Sequence, residues 1–167
     1  MHFLPYPAWH RWALASLAVR TETFYVELKP ISDVWDLEAQ KTHRLSRAHL
    51  EQYGLEPHIA MLAFQSWVIC VSELLIPVFC AMPVRYDWKY VKWYFDWRQI
   101  PNPFTQTLDG RELYRNIKRL PAYAGVPRAQ IWKEFPTALP HTHNALDDAL
   151  EQEEVFRQML KAANLLK

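Results

Sequence analysis

The sequence of 167 residues is poor in glycine and cysteine. Its three glycines, Gly54, Gly110 and Gly125, lie too far apart to form a glycine-rich phosphate-binding loop. Its two cysteines, Cys70 and Cys80, cannot form a disulfide framework. Both lie in apolar segments, which predicts buried thiols in a reducing compartment. These shortages exclude a P-loop nucleotide-binding protein and a small disulfide-rich secreted protein.

Long apolar runs are also missing. The longest apolar stretch, 59–83, is interrupted by polar residues and by Pro77, so it falls short of the roughly 20 clean apolar residues that a membrane span needs. The first 19 residues do not follow the order of a signal peptide. We therefore expect a cytoplasmic protein that does not contact membranes.

Charge is balanced over the whole chain but unevenly distributed. The 19 Lys and Arg residues against 18 Asp and Glu residues exclude a strongly basic nucleic-acid coat protein. Segment 85–133 nevertheless has a net charge of +6, whereas the segments before and after it have net charges of −2 and −3. This distribution predicts one local surface for a polyanion. The sequence has no repeat and no linker, so we expect residues 1–167 to form a single domain.

Strands and helices are predicted to alternate along the chain. Strands are predicted at 24–28 and 76–82, the second of them buried on both faces. Helices are predicted at 47–53, from Pro57 to about residue 71, and at 87–97, 113–120 and 144–166. The segment 32–45 is predicted to be rich in turns. This alternation favours an α/β or α+β fold.

The most informative segment is 141–152, with the sequence His-Thr-His-Asn-Ala-Leu-Asp-Asp-Ala-Leu-Glu-Gln. Asn144 is a good N-cap, so a helix is predicted to begin just after His143, with Asp148 one turn into it. An imidazole on a loop and a carboxylate at a helix start can then converge, which suits a metal held by the carboxylate and a water deprotonated by the histidine. A structural interpretation also fits, since Asp147 and Asp148 favour the positive end of the helix dipole.

The string from His143 to Ala149, His-Asn-Ala-Leu-Asp-Asp-Ala, resembles the third motif of the DEDDh family of 3′–5′ exonucleases. That family belongs to the ribonuclease H-like superfamily and includes proofreading exonucleases and ribonuclease T. Segment 77–95, in which an aromatic residue and Asp87 open a helix after a buried strand, resembles the second motif. Segments 24–50 and 107–114 also resemble parts of this family, so the resemblance extends from about residue 24 to the C-terminus.

The resemblance implies an α/β fold of the ribonuclease H-like type, with a mixed sheet flanked by helices. It also implies hydrolysis at the 3′ end of a single-stranded nucleic acid with Mg²⁺ or Mn²⁺ as the cofactor. Asp87 and Asp148 would then bind the metal, and His143 would deprotonate the attacking water. A structural zinc site at His141 and His143 is not expected, because a closed zinc site needs more ligands.

Candidate nucleic-acid contacts lie in the basic segment. Trp93 is predicted to be exposed on a helix that interleaves aromatic and basic residues, where it can stack on unpaired bases. Basic residues predicted to share one helix face, and to contact phosphates, are Arg111, Arg115 and Lys118. Each prediction has a structural alternative: the aromatic side chains can belong to the core, and the basic ones to a solvated surface.

The first motif of the family, an Asp-x-Glu on the first strand, is not found. Residues 1–19 contain neither Asp nor Glu, and Arg20-Thr-Glu22 matches only the second carboxylate of that motif. We therefore predict that residues 1–20 are an atypical segment, helical or irregular, and that the first strand is lacking or altered. Three explanations stay open: an altered or truncated start of the gene, an inactive relative, or a substitution by Glu22.

Three functions are consistent with these residues. The first is a metal-dependent 3′–5′ exonuclease. The second is an inactive nuclease relative that binds nucleic acid or a protein partner. The third is an interaction domain whose aromatic residues form a homodimer face.

Overall fold

The structure is a computed structural model that describes residues 11–15 by their backbone and residues 22–166 in full. Its strands are β1 (Arg11–Ala15), β2 (Thr23–Glu27), β3 (Val78–Ala81) and β4 (Gln106–Asp109). Its helices are α1 (Leu37–His43), α2 (Arg47–Tyr53), α3 (Pro57–Ser72), α4 (Val84–Arg98), α5 (Gly110–Lys118), α6 (Arg128–Glu134) and α7 (Ala145–Ala162).

The strands form two pairs of different direction. β1 and β2 are antiparallel, with Ala13 opposite Tyr25, whereas β3 and β4 are parallel, with Cys80 opposite Leu108. Leu28, directly after β2, forms a further parallel bridge with Leu55. Helices pack around both pairs, which confirms a mixed α/β fold. The ribonuclease H-like topology stays a prediction.

The parallel pair β3–β4 separates two hydrophobic clusters. Side chains that are neighbours along a strand point to opposite faces of a sheet. Phe79 and Ala81 therefore belong to the cluster formed with α3 and α4, whereas Cys80 and Leu108 pack against the cluster of α5, α6 and α7. The second cluster includes Phe156 of α7. α7 also packs against the antiparallel strands β1 and β2.

Two predictions about the chain path are wrong. Residues 11–15 are not helical or irregular, because their backbone pairs with β2 over five residues. The other residues of the predicted atypical segment 1–20 lie outside the described part of the chain. Segment 32–45 contains the helix α1, which begins because the side chain of Asp36 accepts hydrogen bonds from the N–H groups of Glu38 and Ala39.

Two burial predictions also need correction. Cys70 is exposed, since the side of α3 that packs inward contains Phe64 and Val68 instead. Cys80 is half-buried. The strand predicted at 76–82 is buried only at alternate positions, and Val78 is exposed. None of the described helices has the length and apolar character that crossing a membrane requires.

Candidate functional site

The carboxyl ends of β3 and β4 anchor the starts of α4 and α5. Oδ1 of Asp109 accepts hydrogen bonds from the N–H groups of Arg111 and Glu112, which caps α5. Oδ2 of the same residue accepts a hydrogen bond of 2.9 Å from the N–H of Val84, the first residue of α4. One carboxylate thus satisfies free N–H groups at two helix starts and fixes both at one edge of the sheet.

Helix α7 approaches the same edge at Gly110. A Cβ atom at this position would lie 2.3 Å from Cε of Met82 and 2.9 Å from Cζ of Phe156. Any larger residue would therefore require the side chains of Met82 and Phe156 to shift. Asp148 precedes Phe156 by two helical turns, about 12 Å along the axis of α7.

Asp87 lies in the first turn of α4, close to this edge. Its side chain remains accessible to solvent, but the protein around it desolvates the carboxylate and raises its pKa from 3.8 to about 6. A hydrogen bond from its own backbone N–H lowers the pKa and offsets part of this effect. The ionised form is therefore less favourable in the folded protein than in the unfolded chain.

Replacing Asp87 by Asn is expected to raise the melting temperature at pH 7 in the presence of EDTA. Because the folded-state pKa lies above the unfolded value, the ionised carboxylate destabilises the fold fully above about pH 6 and not at all below about pH 3.8. The advantage of the variant should therefore shrink as the pH falls from 7 to 4. Asp96→Asn on the same helix is the control, since Asp96 is exposed and pairs with Lys92 at 2.5 Å. An equal advantage of Asp87→Asn at both pH values would contradict the expectation.

Three potential ligands meet at the start of α7. One ligand atom from each of His141, His143 and Asp148 lies within 4.8 Å of the other two. The two imidazole rings meet edge to face, with centroids 4.5 Å apart. The cluster contains the two predicted site residues of the third motif together with His141. Asp87 is not a member of this cluster, and its place in a shared metal site stays a prediction.

Asp148 has one carboxylate oxygen without a hydrogen bond. Its Oδ1 atom is buried and accepts no hydrogen bond from the described residues. Nδ1 of His141 lies 2.9 Å away, close enough for an ion pair but outside hydrogen-bond geometry. The same nitrogen lies 3.0 Å from Oε2 of Glu151 and 3.1 Å from Nη2 of Arg128. A buried oxygen left without a donor is costly in a protein that binds nothing there.

Glu151 anchors the loop that contains both histidines. Its side chain is only 4 % exposed, and Oε2 accepts a hydrogen bond of 2.5 Å from Nη2 of Arg128. Oε1 accepts a hydrogen bond of 2.5 Å from Nε1 of Trp132, one turn further along α6. With His141 at 3.0 Å, this buried carboxylate joins α6, α7 and the loop before α7.

The loop itself is held by local hydrogen bonds. The hydroxyl of Thr142 donates to Oδ2 of Asp147 at 2.6 Å and accepts from the N–H of Asn144 at 3.1 Å. The side chain of Asn144 caps α7 by accepting from the N–H of Leu146, which confirms the predicted start of this helix. His143 between them has a φ angle of 60°, a left-handed conformation that is uncommon outside glycine.

No protein-family model matches the chain. The chain is, however, 30% identical over 149 residues to the 3′–5′ DNA exonuclease Cap18 of Escherichia coli. This alignment covers 88% of the chain and 79% of that protein. The chain belongs to this 3′–5′ exonuclease family. The predicted nuclease family is thereby confirmed, whereas the DEDDh subtype and the missing first motif stay predictions.

Sequence reasoning missed three residues that lie around the candidate site. His141, Arg128 and Glu151 were not among the predicted site residues, although they surround the loop before α7. The spacing of His141 and Glu151, three residues before and seven residues after the N-cap Asn144, offers no recognised motif. The one signal that points to a buried carboxylate is that Glu151 precedes Val155 by one helical turn, in line with the apolar stripe of α7.

Trp93 is only half-buried, but it is not a free aromatic face. Its ring stacks on Trp97 with centroids 4.9 Å apart, and it also packs against the core cluster of α3 and α4. Trp97 is the more exposed ring of the pair, and the guanidinium of Arg98 lies 3.5 Å from its centroid. A role of Trp93 in base stacking stays a prediction.

The predicted basic face of α5 is partly neutralised. Lys118 forms an ion pair with Glu134, and this hydrogen bond lowers the pKa of that carboxyl. Arg115 is mostly buried, and it donates a long hydrogen bond of 3.5 Å to the carbonyl of Ala124. Nε of Arg111 is buried without a hydrogen bond to the described residues. Contacts of these three residues with nucleic acid also stay a prediction.

The residues at the start of α7 fit a divalent metal ion. The buried Oδ1 of Asp148 is the observation that supports this fit, since a cation would satisfy an oxygen that the described residues leave without a donor. Carboxylate oxygen is also the ligand that Mg²⁺ and Mn²⁺ prefer. The identity of the ion stays a prediction.

Proposed function

We propose that the protein acts at the 3′ end of single-stranded DNA as a metal-dependent 3′–5′ exonuclease. The observation that carries this proposal is the meeting of His143 and Asp148 at the start of α7, in a chain that belongs to an exonuclease family. DNA is proposed over RNA because the Escherichia coli relative is a DNA exonuclease. Mg²⁺ or Mn²⁺ is the proposed cofactor.

Each residue of the proposed site has a separate role. Asp148, through its buried Oδ1, and Asp87 would hold the ion. When bound, the ion would supply charge stabilisation at the phosphoryl group and a water molecule of lowered pKa. His143 would accept the proton of the attacking water. The left-handed backbone at His143 and the bonds on both sides of it favour a fixed ring position for this transfer.

A second candidate function is binding of a DNA 3′ end without hydrolysis. It is favoured by β1, which packs against α7 more extensively than β2 does and contains neither Asp nor Glu. Glu27 on the neighbouring strand is occupied, because His49 lies 2.6 Å from its carboxylate. Glu22, just before β2, is exposed and is the remaining carboxylate of this region in the described chain.

Release of the 3′-terminal nucleotide from labelled single-stranded DNA in Mn²⁺ tests the proposal. The proposal is supported if the protein releases the nucleotide faster than the Asp148→Asn variant does. Equal release by the two proteins contradicts the assigned site. Salt-sensitive binding without release in either protein favours the second candidate.

Removal of three charges from α5 is expected to weaken DNA binding. We expect the triple variant Arg111→Gln, Arg115→Gln and Lys118→Gln to bind single-stranded DNA less tightly, because phosphate contacts dominate the affinity. The plot of log K against log salt concentration should become less steep. The magnitude of its negative slope should fall by up to about 2, at about 0.7 per lost contact on a single strand. Fluorescence anisotropy at several salt concentrations measures both quantities.

The matched control removes three charges elsewhere, in the triple variant Lys29→Gln, Lys41→Gln and Lys161→Gln. An equal loss of affinity in the control would show that only the total charge matters, which contradicts a role for the α5 face. Asp148→Asn should leave binding unchanged or improve it, since it removes a negative charge near the DNA. Circular dichroism verifies the fold of every variant.

A further inference from the structure

We propose that the solvent-facing side of α3 and the loop that follows this helix form the interface of a homodimer. The occupant of this surface is a second copy of the chain, related to the first by a two-fold axis. This interface does not depend on whether the protein hydrolyses DNA.

Helix α3 is apolar on two sides. Its inward side contributes Phe64 and Val68 to the core cluster that it forms with α4. Its outward side exposes a second row of apolar side chains at helical spacing, and the exposed row continues into the loop 73–76. We call this surface the α3 patch. Its large exposed side chains are Ile59, Leu62, Ile69, Leu74, Leu75 and Ile76.

The helix and the loop form one continuous surface of the size that a stable dimer needs. Ile69 of α3 and Leu75 of the loop line the same surface cavity of about 240 Å³. The six large side chains expose on the order of 700 Å² of apolar surface, more than the about 300–600 Å² of the largest patch on a typical monomer. This area is close to the about 800 Å² that each partner buries in a standard interface.

The charge of the patch favours a second copy as the occupant. Segment 57–77 contains no Lys or Arg, and its one acidic residue is Glu73, the residue that ends α3. Nucleic acids and anionic membranes bind basic surfaces, so neither of them fits this patch. In a two-fold dimer, by contrast, the same patch meets itself. An uncharged helix face then places no like charges opposite each other.

The relief of the patch also suits another helix. The small residues Ala63, Ser66 and Cys70 are exposed on the same side of α3 as the larger residues Ile59, Leu62 and Ile69. Rows of large side chains on one helix pack into the grooves of another, and small residues between them let the two helices approach. The α3 patch therefore has the form of a helix-packing surface.

The loop part of the patch lies away from the candidate site. Segment 73–77 leads into the amino end of β3, whereas the starts of α4 and α5 lie at the carboxyl ends of β3 and β4. Dimer formation can therefore be measured independently of DNA binding.

Analytical ultracentrifugation in the absence of DNA tests this interface. We expect the parent protein to sediment as a dimer at micromolar concentration. The double variant Leu62→Glu and Ile69→Glu should dimerise at least about hundredfold more weakly, because like charges opposed in an interface cost several kcal/mol. Both positions are exposed, so the folded monomer accepts glutamate there, and circular dichroism verifies the fold.

The matched control is the double variant Val34→Glu and Leu37→Glu, which adds the same charges at two exposed apolar residues outside the patch. It should dimerise as the parent does. Because no DNA is present, failure of the proposed exonuclease function does not affect the result.

Labelling of Cys70 with a maleimide gives a second measurement. Its thiol is exposed on the α3 patch, whereas burial raises the pKa of the Cys80 thiol to about 11, which leaves Cys80 little reactive thiolate at neutral pH. The labelling rate of Cys70 should fall as the concentration of the parent rises, and it should stay constant in the Leu62→Glu and Ile69→Glu variant.

Three results would each overturn the proposal. The first is a parent protein that stays monomeric at high micromolar concentration, which would mean that the patch is covered by another partner or by none. The second is equal dimerisation by the Leu62→Glu and Ile69→Glu variant and the parent. The third is a labelling rate of Cys70 that does not depend on the concentration of the parent.

Discussion

Incubated with 3′-labelled single-stranded DNA and Mn²⁺, the protein is expected to release only traces of the terminal nucleotide. The DEDDh site that the sequence resembles uses four carboxylates, and the sequence offers matches for two of them, Asp87 and Asp148. Divalent ions need several hard oxygen ligands, so a site with two of these four carboxylates would bind metal weakly and leave the attacking water without a fixed position. We expect a barrier that is higher by several kcal/mol, and each increase of about 1.4 kcal/mol lowers the rate tenfold.

The neighbourhood of α7 supports this expectation. β1 contacts α7 more extensively than β2 does, and its sequence, Arg-Trp-Ala-Leu-Ala, contains no carboxylate to bind a divalent ion. Glu151 is the most buried carboxylate of α7, but its two oxygens already accept hydrogen bonds from Arg128 and Trp132. Glu22 is the remaining described carboxylate near the start of β2.

The assay compares the protein with Asp148→Asn, with EDTA, and with Asp96→Asn as a control on an exposed surface. Trace release that EDTA and Asp148→Asn abolish, and that Asp96→Asn retains, is the expected result. Robust release that vanishes in Asp148→Asn would contradict the prediction of weak activity. It would mean that Glu22 or a carboxylate outside the described residues completes the site.

Local signals made parts of this fold predictable. Ser46 and Gly54 bound α2 because a serine side chain satisfies a free N–H group at one end and the chain turns away at the other. Asn144 starts α7 for the same reason, and its position fixed His143 on a loop and Asp148 one turn inside the helix. Such caps act over three or four residues, so the sequence alone is enough to recognise them.

Contacts between distant segments could not be predicted in this way. The pairing of residues 11–15 with β2 has no local signal, because the backbone partners come from another part of the chain. The exposure of Cys70 depends on which side of α3 meets the core, and an almost uniformly apolar helix does not reveal it. His141 lies beside Asp148 and Glu151, seven and ten residues away along the chain, and no local pattern indicates these contacts.

Replacing Glu151 by Ala is expected to lower the free energy of unfolding by about 3 kcal/mol, and the melting temperature by about 6–12 °C for a chain of this size. The carboxylate is almost completely buried, and it accepts hydrogen bonds from Arg128 and Trp132 and lies 3.0 Å from His141. Its removal leaves the indole N–H of the half-buried Trp132 without an acceptor and a guanidinium without its counter-charge. Urea denaturation followed by circular dichroism measures the change.

Glu38→Ala is the matched control, because Glu38 forms an exposed ion pair with Lys41 at 2.6 Å and such pairs contribute about 0–1 kcal/mol. The double variant Arg128→Ala and Glu151→Ala should be more stable than the sum of the two single effects indicates, since the second substitution removes a charge that has already lost its partner. Arg128 is itself 37 % exposed, so solvent compensates part of the loss on its side and keeps the single effect below that of a fully buried pair. A Glu151→Ala protein that unfolds at the same urea concentration as the parent would contradict this expectation. It would show that the contacts of Glu151 with Arg128, Trp132 and His141 do not hold the loop before α7.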